Sequence, residues 1–181
     1  HLKRLLISLE ANKIKHINFF LDGPKNKKDK LIQDHILSML KNSKFKSIII
    51  KQKKNIGLAK STEFGLNYMA KKYEYFVVLE DDVVPYKNFF KFMKLNLEKF
   101  KNSNQIGAVC GYQLNEINKI KKKENNSIFL DFFIPWGWAT WSKNWIKYIK
   151  ERKLILKKNE INKKNYFENF LSKKIKNKPK K

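Results

Sequence analysis

Cysteine, arginine and long apolar runs are scarce in this chain, and each scarcity excludes a class of protein. Cys110 is the one cysteine among 181 residues, so the chain has no internal disulfide and fits a reducing compartment such as the cytoplasm. Its position in the apolar run IGAVCG predicts a core residue rather than a nucleophile. No stretch reaches the roughly 18 consecutive apolar residues that a membrane-spanning helix needs.

Lysine carries almost all of the positive charge. Of the 41 basic residues only Arg4 and Arg152 are arginine, against 16 acidic residues and a net charge of +25. The lysines are spread over every segment together with abundant Asn and Ile, which indicates a compositional bias more than a nucleic-acid site. We therefore expect no specific nucleic-acid partner. Attraction to acidic substrates, or peripheral contact with the anionic inner face of a membrane, stays open.

The order of apolar and polar residues predicts an α/β fold. Leu2, Leu5, Leu6 and Leu9 already have helical spacing. Strands are predicted at 14–21, 45–50, 75–79, 106–112 and 128–134, and helices at 28–40, 58–72 and 86–100. Because strand and helix alternate, we predict a parallel sheet covered on both faces. The prediction is a single doubly wound domain over residues 1–181 that ends in a basic tail at 173–181.

Three carboxylates, Glu80, Asp81 and Asp82, follow the apolar run YFVVL. A buried strand would deliver them together to the carboxyl edge of the sheet, where open α/β sheets place their ligands. Carboxylates this close repel one another, and a hard cation such as Mn²⁺ or Mg²⁺ relieves the repulsion and can hold a diphosphate. The sequence therefore predicts a metal site here, with a solvated acidic turn as the alternative.

Turn-forming residues end the two preceding strands. Asp22 follows the strand at 14–21, and Asn55 and Gly57 form the turn before the helix at 58–72. We expect both turns to share an edge with the acidic triplet, where N–H groups at a helix N-terminus can approach ribose or phosphate. Asp22 would there accept a hydrogen bond from a base N–H. Taken singly, each of these residues is also an ordinary turn former.

Tryptophan is concentrated in one segment, DFFIPWGWATWSKNW, at residues 131–145. Trp136 and Trp138 flank Gly137, and we expect one indole to pack inward and the other to form an apolar platform. Aromatic faces stack on sugar rings as well as on bases. The alternative is that the tryptophans only pack a second small layer over the sheet.

Three segments in this order, NIGLAKSTEFGLNYM, YEYFVVLEDDVVPYKNFFKFM and DFFIPWGWATW, resemble glycosyltransferases of the GT-A fold. The likeness is to the group that includes N-acetylglucosaminyltransferase I and bacterial sugar transferases for surface glycans, and it extends from His1 to about Trp145. It implies a Rossmann-like three-layer fold with a mostly parallel sheet. It also implies a first strand before His1, so we expect a segment upstream of the present chain and further elements beyond its end.

The resemblance implies roles for individual residues. The acidic triplet becomes the family's DxD-like motif, with Asp82 as the direct metal ligand. Glu80 and Asp81 then face the sugar and the ribose. Asp22 matches the aspartate that contacts a uracil ring, and Lys60 lies where the family often keeps a basic residue near the nucleotide.

The resemblance also locates the acceptor side of the site. The WGW segment, residues 136–138, matches the region that borders donor sugar and acceptor. The family's catalytic base lies in a two-acid motif between aromatic residues, and the nearest match here is FENF at 167–170, with a single acid. Glu168 is thus the candidate base that deprotonates the acceptor hydroxyl.

Together these patterns predict a metal-dependent glycosyltransferase in surface polysaccharide synthesis. It would move a sugar from a nucleotide-diphosphate donor, UDP-linked by the resemblance, to a glycan or lipid-linked acceptor. One alternative is a nucleotidyltransferase, which would use the same sheet edge but usually has a Gly-rich basic phosphate loop after its first strand. The other is a basic binding module for RNA or anionic glycans, which would bind without metal and with strong salt dependence.

Overall fold

The computed structural model of the chain describes residues 1–112 and 128–159. Helices and strands follow one another as α1 (Leu2–Ala11), β1 (His16–Leu21), α2 (Lys27–Lys41), β2 (Lys46–Lys51), α3 (Leu58–Lys72), β3 (Tyr75–Val78), α4 (Phe89–Phe100), β4 (Val109–Cys110), β5 (Trp138–Trp141) and α5 (Ser142–Asn159). The mixed α/β class is confirmed, and α3 has the predicted bounds.

The strands form two small sheets. β1 and β2 are parallel, with His16 opposite Lys46 at the start of the register. β5 lies between β3 and β4 and is antiparallel to both, with Val78 opposite Trp138. The described strands thus contain one parallel and two antiparallel pairs, whereas we predicted a single, mostly parallel sheet. An apolar run packs equally well in either direction, so the residue pattern alone does not encode the reversed direction of β5.

Two predicted strands differ from the structure. The strand predicted at 128–134 is wrong, because the backbone is irregular there and the pairing strand is β5, four residues further on. All four residues of β5 are buried, whereas residues 128–132 are exposed although four of these five residues are apolar. The strand predicted at 106–112 is reduced to β4. Helix α5 is not predicted, because lysines interrupt its apolar positions.

Helix α3 packs against strands of both sheets. On the side of β1, Gly65 faces Phe20: a Cβ atom on Gly65 would lie 3.1 Å from Cγ of that ring. Tyr68 packs edge-on against the same ring at 5.5 Å between centroids. On the side of β3, Leu66 and Phe76 belong to one buried cluster. The apolar face of α3 therefore connects the two sheets.

A second apolar cluster, on α1, also reaches both sheets. Leu5, Leu6 and Leu9 are buried in it, as their helical spacing predicts. Leu21 at the end of β1 and Leu79 directly after β3 pack against this cluster. The carboxyl ends of β1 and β3 thus border one cluster, and the predicted site residues leave the strands from there.

The structure shows how the single cysteine is packed and how apolar the helices are. Cys110 is half-buried, and its burial raises the pKa of the thiol, which agrees with a packing role. Among residues 1–112 and 128–159, no helix is both long enough and apolar enough to cross a bilayer.

Candidate functional site

The three carboxylates lie on one exposed turn directly after β3. Leu79 separates the strand from this turn, and the backbone N–H of Val83 donates to the carbonyl oxygen of Glu80 at 3.1 Å. The side chains of Glu80, Asp81 and Asp82 are all exposed. None of the three carboxylates takes part in a hydrogen bond or ion pair with another described residue, so all of them remain available to a ligand.

The segment around Gly137 lies beside this acidic turn. Trp138 pairs with Val78 at the end of β3, so the residues that precede β5 continue toward the turn. A Cβ atom on Gly137 would lie 3.4 Å from Cγ1 of Val83, the residue that closes the turn. The carbonyl oxygen of Gly137 accepts the N–H of Gly111 at 2.8 Å. The structure thus brings the acidic triplet and the WGW segment together.

The two tryptophans of this segment differ in exposure. Trp138 is 8% exposed and packs edge-on against Phe133 at 4.8 Å between ring centroids. Trp136 is 48% exposed and packs edge-on against Tyr112 at 4.9 Å. Residues two apart in a regular strand share one face, but Gly137 has a φ of +71° and separates the two indoles. One indole packs inward and the other faces solvent, as the sequence predicts.

Asp22 connects the end of β1 to the start of α3. Its Oδ1 accepts the backbone N–H groups of Gly23 at 2.8 Å and Ile56 at 2.9 Å. Its Oδ2 accepts the N–H of Gly57 at 2.9 Å and the side-chain amide of Asn55 at 3.1 Å. The bonds from the three backbone N–H groups favour the charged carboxylate and lower the pKa of Asp22, with the bond from Ile56 as the largest cause. We call this set of bonds the Asp22 clamp.

The clamp constrains what Asp22 offers to a nucleotide. Each carboxylate oxygen already accepts two hydrogen bonds, which is the usual acceptor capacity of this group. A base N–H would therefore replace one of the present donors, and the Asn55 amide, at the longest distance, is the most easily displaced. Asn55 would still donate to the carbonyl oxygen of Gly23, at 2.9 Å. Lys60 is exposed in the first turn of α3.

The predicted site residues thus form two groups. Asp22, Asn55 and Gly57 belong to the clamp, and the acidic turn and the WGW segment make up the second group. Among the described residues, no hydrogen bond or ion pair joins a member of one group to a member of the other. The candidate base Glu168 and the basic tail at 173–181 lie outside the described residues.

The acidic turn suits a metal ion by its chemistry but does not form a complete metal site. Within the described ranges, no group of three or more His, Cys, Asp or Glu side chains is arranged to hold a metal ion. Carboxylate oxygens are the ligands that Mn²⁺ and Mg²⁺ prefer. A single turn supplies only part of a six-oxygen shell, so a bound ion would need ligands from elsewhere.

The sequence patterns do not predict two aromatic residues that shape this region, Phe89 and Tyr112. The Phe89 ring lies between two glycines. A Cβ atom added to Gly111 would lie 2.3 Å from Cε2 of Phe89, and one added to Gly137 would lie 3.2 Å from the same atom. Tyr112 supports the exposed indole of Trp136. The signal that could have identified this packing is a glycine at the end of a short strand, which often marks a close approach of backbone to a ring.

Chemically, this region combines exposed carboxylates with an exposed aromatic face. The carboxylates can bind hard cations, and the indole can stack on a flat or ring-shaped ligand. Two hollows on the described surface lie elsewhere, one along α2 between Asp34 and Asn42 and one between Lys101 and Ser142.

No protein-family model, curated protein or solved structure matches this chain.

Proposed function

We propose that this chain is the nucleotide-sugar-binding part of a metal-dependent glycosyltransferase, with a UDP-sugar as donor and a glycan or lipid-linked molecule as acceptor. The observation that carries the proposal is the acidic turn, whose three exposed carboxylates leave β3 beside the exposed indole of Trp136. The carboxylates suit a cation bound to a diphosphate, and the indole suits a sugar ring.

In this proposal Asp82 holds Mn²⁺ or Mg²⁺ directly, and Glu80 and Asp81 face the sugar and the ribose, as the family resemblance implies. The ion, when bound, neutralises the charge that develops on the leaving diphosphate. Because one turn cannot complete a six-oxygen shell, a bound ion would need further oxygen ligands, which the diphosphate could supply. Metal and nucleotide therefore bind together rather than in sequence.

Trp136 forms one wall for the donor sugar or the acceptor. Tyr112 holds the indole edge-on, so the ring has a defined orientation before any ligand binds. Gly137 has a φ of +71°, a left-handed conformation that favours glycine, and this turn of the backbone leaves the indole near the acidic turn. A sugar stacked on Trp136 would then lie close to the diphosphate.

The remaining residues of the proposal support the nucleotide and the acceptor. Asn55, Gly57 and Lys60 border the ribose and the base at the start of α3. The Asp22 clamp holds that turn in place, and Asp22 meets the base only if the Asn55 amide gives way. Glu168 takes the proton of the acceptor hydroxyl as general base. The product would enter surface polysaccharide synthesis on the cytoplasmic side of the membrane.

The two sheets are, in this proposal, parts of one mostly parallel sheet of the GT-A fold. Helix α3 contacts both β1 and β3, and the cluster on α1 reaches the ends of both strands. Within the described residues β1 pairs only with β2 and β3 only with β5, so each keeps one unpaired edge. One extended segment that pairs with both edges would join the two sheets.

Titration of the chain with a panel of nucleotide sugars, with and without Mn²⁺, tests the proposal. We expect at least one UDP-sugar to bind in calorimetry, with an affinity that falls by about tenfold or more when Mn²⁺ is chelated. Absence of any metal-dependent binding to a nucleotide sugar would contradict the proposal. Tighter binding of a nucleoside triphosphate than of any nucleotide sugar would favour the nucleotidyltransferase instead.

A further inference from the structure

A strongly basic surface surrounds the Asp22 clamp, and we call residues 22–33 and 51–60 the basic tip. It contains eight lysines and two aspartates. Both aspartates are engaged by backbone N–H groups, Asp22 in the clamp and Asp29 by the N–H of Lys25 at 3.2 Å. The lysines are all exposed: Lys25, Lys27, Lys28, Lys30, Lys51, Lys53, Lys54 and Lys60.

The two segments of the basic tip form one surface. The side-chain amide of Gln33 in α2 donates to the carbonyl oxygen of Asp22 at 2.5 Å, and the clamp attaches the start of α3 to the same residue. A Cβ atom on Gly23 would lie 2.1 Å from the carbonyl carbon of Lys54, so the two loops touch backbone to backbone. Lysines from both segments are therefore held next to each other.

Four aliphatic side chains are exposed among these lysines. The exposed fractions are 72% for Leu31, 53% for Ile32, 36% for Ile56 and 81% for Leu58. Leucines this exposed gain from leaving water, and a bilayer offers an apolar region directly beneath its charged headgroups. Lysines near a bilayer are attracted by anionic lipids.

We propose that the basic tip docks on the surface of an anionic lipid membrane. The lysines contact the headgroups, and Leu31 and Leu58 insert at the boundary between headgroups and acyl chains. Charge complementarity carries the choice of partner, since the tip has eight exposed lysines against two aspartates. The proposal does not rest on glycosyl transfer, because it uses only charge and exposed apolar surface.

The composition of the basic tip favours a membrane over RNA. RNA and single-stranded DNA are recognised by stacking of bases on aromatic or arginine side chains. The tip contains no Phe, Tyr, Trp, His or Arg. Its exposed apolar side chains are aliphatic, which suits insertion between lipids and adds little to a phosphate backbone contact.

Flotation of the full chain with lipid vesicles tests the charge part of the proposal. We expect binding to vesicles of phosphatidylcholine with phosphatidylglycerol, little binding to phosphatidylcholine alone, and weaker binding as salt rises. Neutralising three tip lysines should lower the apparent affinity by about tenfold or more. A control with three lysines neutralised outside the tip should bind as the parent. The two variants are K27Q/K28Q/K53Q for the tip and K71Q/K91Q/K150Q for the control.

Two serine variants test the apolar part. L31S/L58S should weaken binding to the anionic vesicles by about tenfold, because two inserted leucines lose their contact with the acyl region. L95S/L154S is the matched control, since Leu95 and Leu154 are 55% and 62% exposed outside the tip. Circular dichroism and thermal unfolding of all variants verify that the fold is retained.

Equal losses in tip and control variants, or equal binding to neutral and anionic vesicles, would overturn the proposal. The proposal would also be overturned if the chain did not bind the vesicles but bound a single-stranded RNA in a salt-sensitive way, and if L31S/L58S left that RNA binding unchanged. Nucleotide-sugar binding by the tip variants reports separately on the proposed function. A tip variant that loses vesicle binding but keeps metal-dependent nucleotide binding would show that the lipid contact does not use the tip residues that the proposed function assigns to the nucleotide.

Discussion

The carboxylate of Asp22 accepts the backbone N–H of Gly57 at 2.9 Å and so joins two residues that are 35 positions apart in the chain. Gly57 has a φ of +83°, in the left-handed region, and nothing lies within 4 Å of where its Cβ atom would be. Glycine is favoured there by the backbone conformation rather than by lack of space. Asp22 thereby supports the turn from which α3 begins.

Asp22→Asn should lower the free energy of unfolding by about 1–3 kcal/mol, because an amide nitrogen cannot accept the hydrogen bonds that one carboxylate oxygen accepts now. Chemical denaturation followed by tryptophan fluorescence measures the change. Asp34→Asn is a suitable control, since Asp34 is an exposed aspartate on α2. Equal stabilities of the two variants would show that the clamp contributes little.

The Asp22 clamp should also make stability depend on pH in a defined direction. The hydrogen bonds, above all the one from Ile56, lower the pKa of Asp22 in the folded chain below its usual value of 3.8. The unfolded chain therefore binds this proton at higher pH, so the contribution of Asp22 is full above about pH 4 and is lost as the pH falls further. The stability difference between the parent and Asp22→Asn should be constant near neutral pH and shrink on acidification. A difference that grows on acidification would contradict the assignment.

Asp82→Asn should remove Mn²⁺-dependent binding of a UDP-sugar while leaving the fold intact. Because Asp82 is exposed and none of its described neighbours pairs with it, we expect a change in unfolding free energy within about 0.5 kcal/mol. Calorimetric titration and thermal unfolding of the same sample measure both effects. Retention of metal-dependent binding by this variant would show that Asp82 is not a metal ligand.

The two tryptophans should separate stability from binding. Trp138→Ala should cost about 3–5 kcal/mol of unfolding free energy, because it deletes a large buried side chain that packs on Phe133. Trp136→Ala should change stability by less than about 1 kcal/mol, because its indole is half exposed, and should weaken sugar binding. Denaturation and nucleotide-sugar titration of both variants give the comparison. Similar stability losses without a binding effect would mean that both tryptophans serve packing alone.

Gly111→Ala should destabilise the chain by about 1–3 kcal/mol, since overpacking forces neighbouring rings to move. The new Cβ atom would lie 2.3 Å from Phe89 Cε2 and 2.7 Å from Met93 Cε. Gly107→Ala, on the other side of β4, is the matched control, because nothing lies within 4 Å of its Cβ position. Thermal unfolding of both variants measures the difference, and a Gly111→Ala variant as stable as the control would mean that Phe89 moves aside at little cost.

Local pattern determined much of this fold and part of the candidate site. The apolar spacing of residues 58–72 predicts α3 to the residue, and the run YFVVL predicts β3 and the acidic turn that follows it. The mixed α/β class also follows from the alternation of these periods. Such features need only the nearest residues along the chain, because helix and strand periodicity arise within a few residues of each backbone position.

Only the tertiary structure decided the position of β5, the partners of Asp22 and which of the two tryptophans, Trp136 or Trp138, is buried. Each depends on residues far apart in sequence: β5 pairs with β3 across 60 positions of chain or more, and Asp22 bonds a turn more than 30 residues away. A residue's type states what it can bond or bury, but which partner it meets depends on how the whole backbone is brought together. That is a property of the packed chain, because pairing direction and long-range hydrogen bonds are selected by the competing contacts of all elements at once.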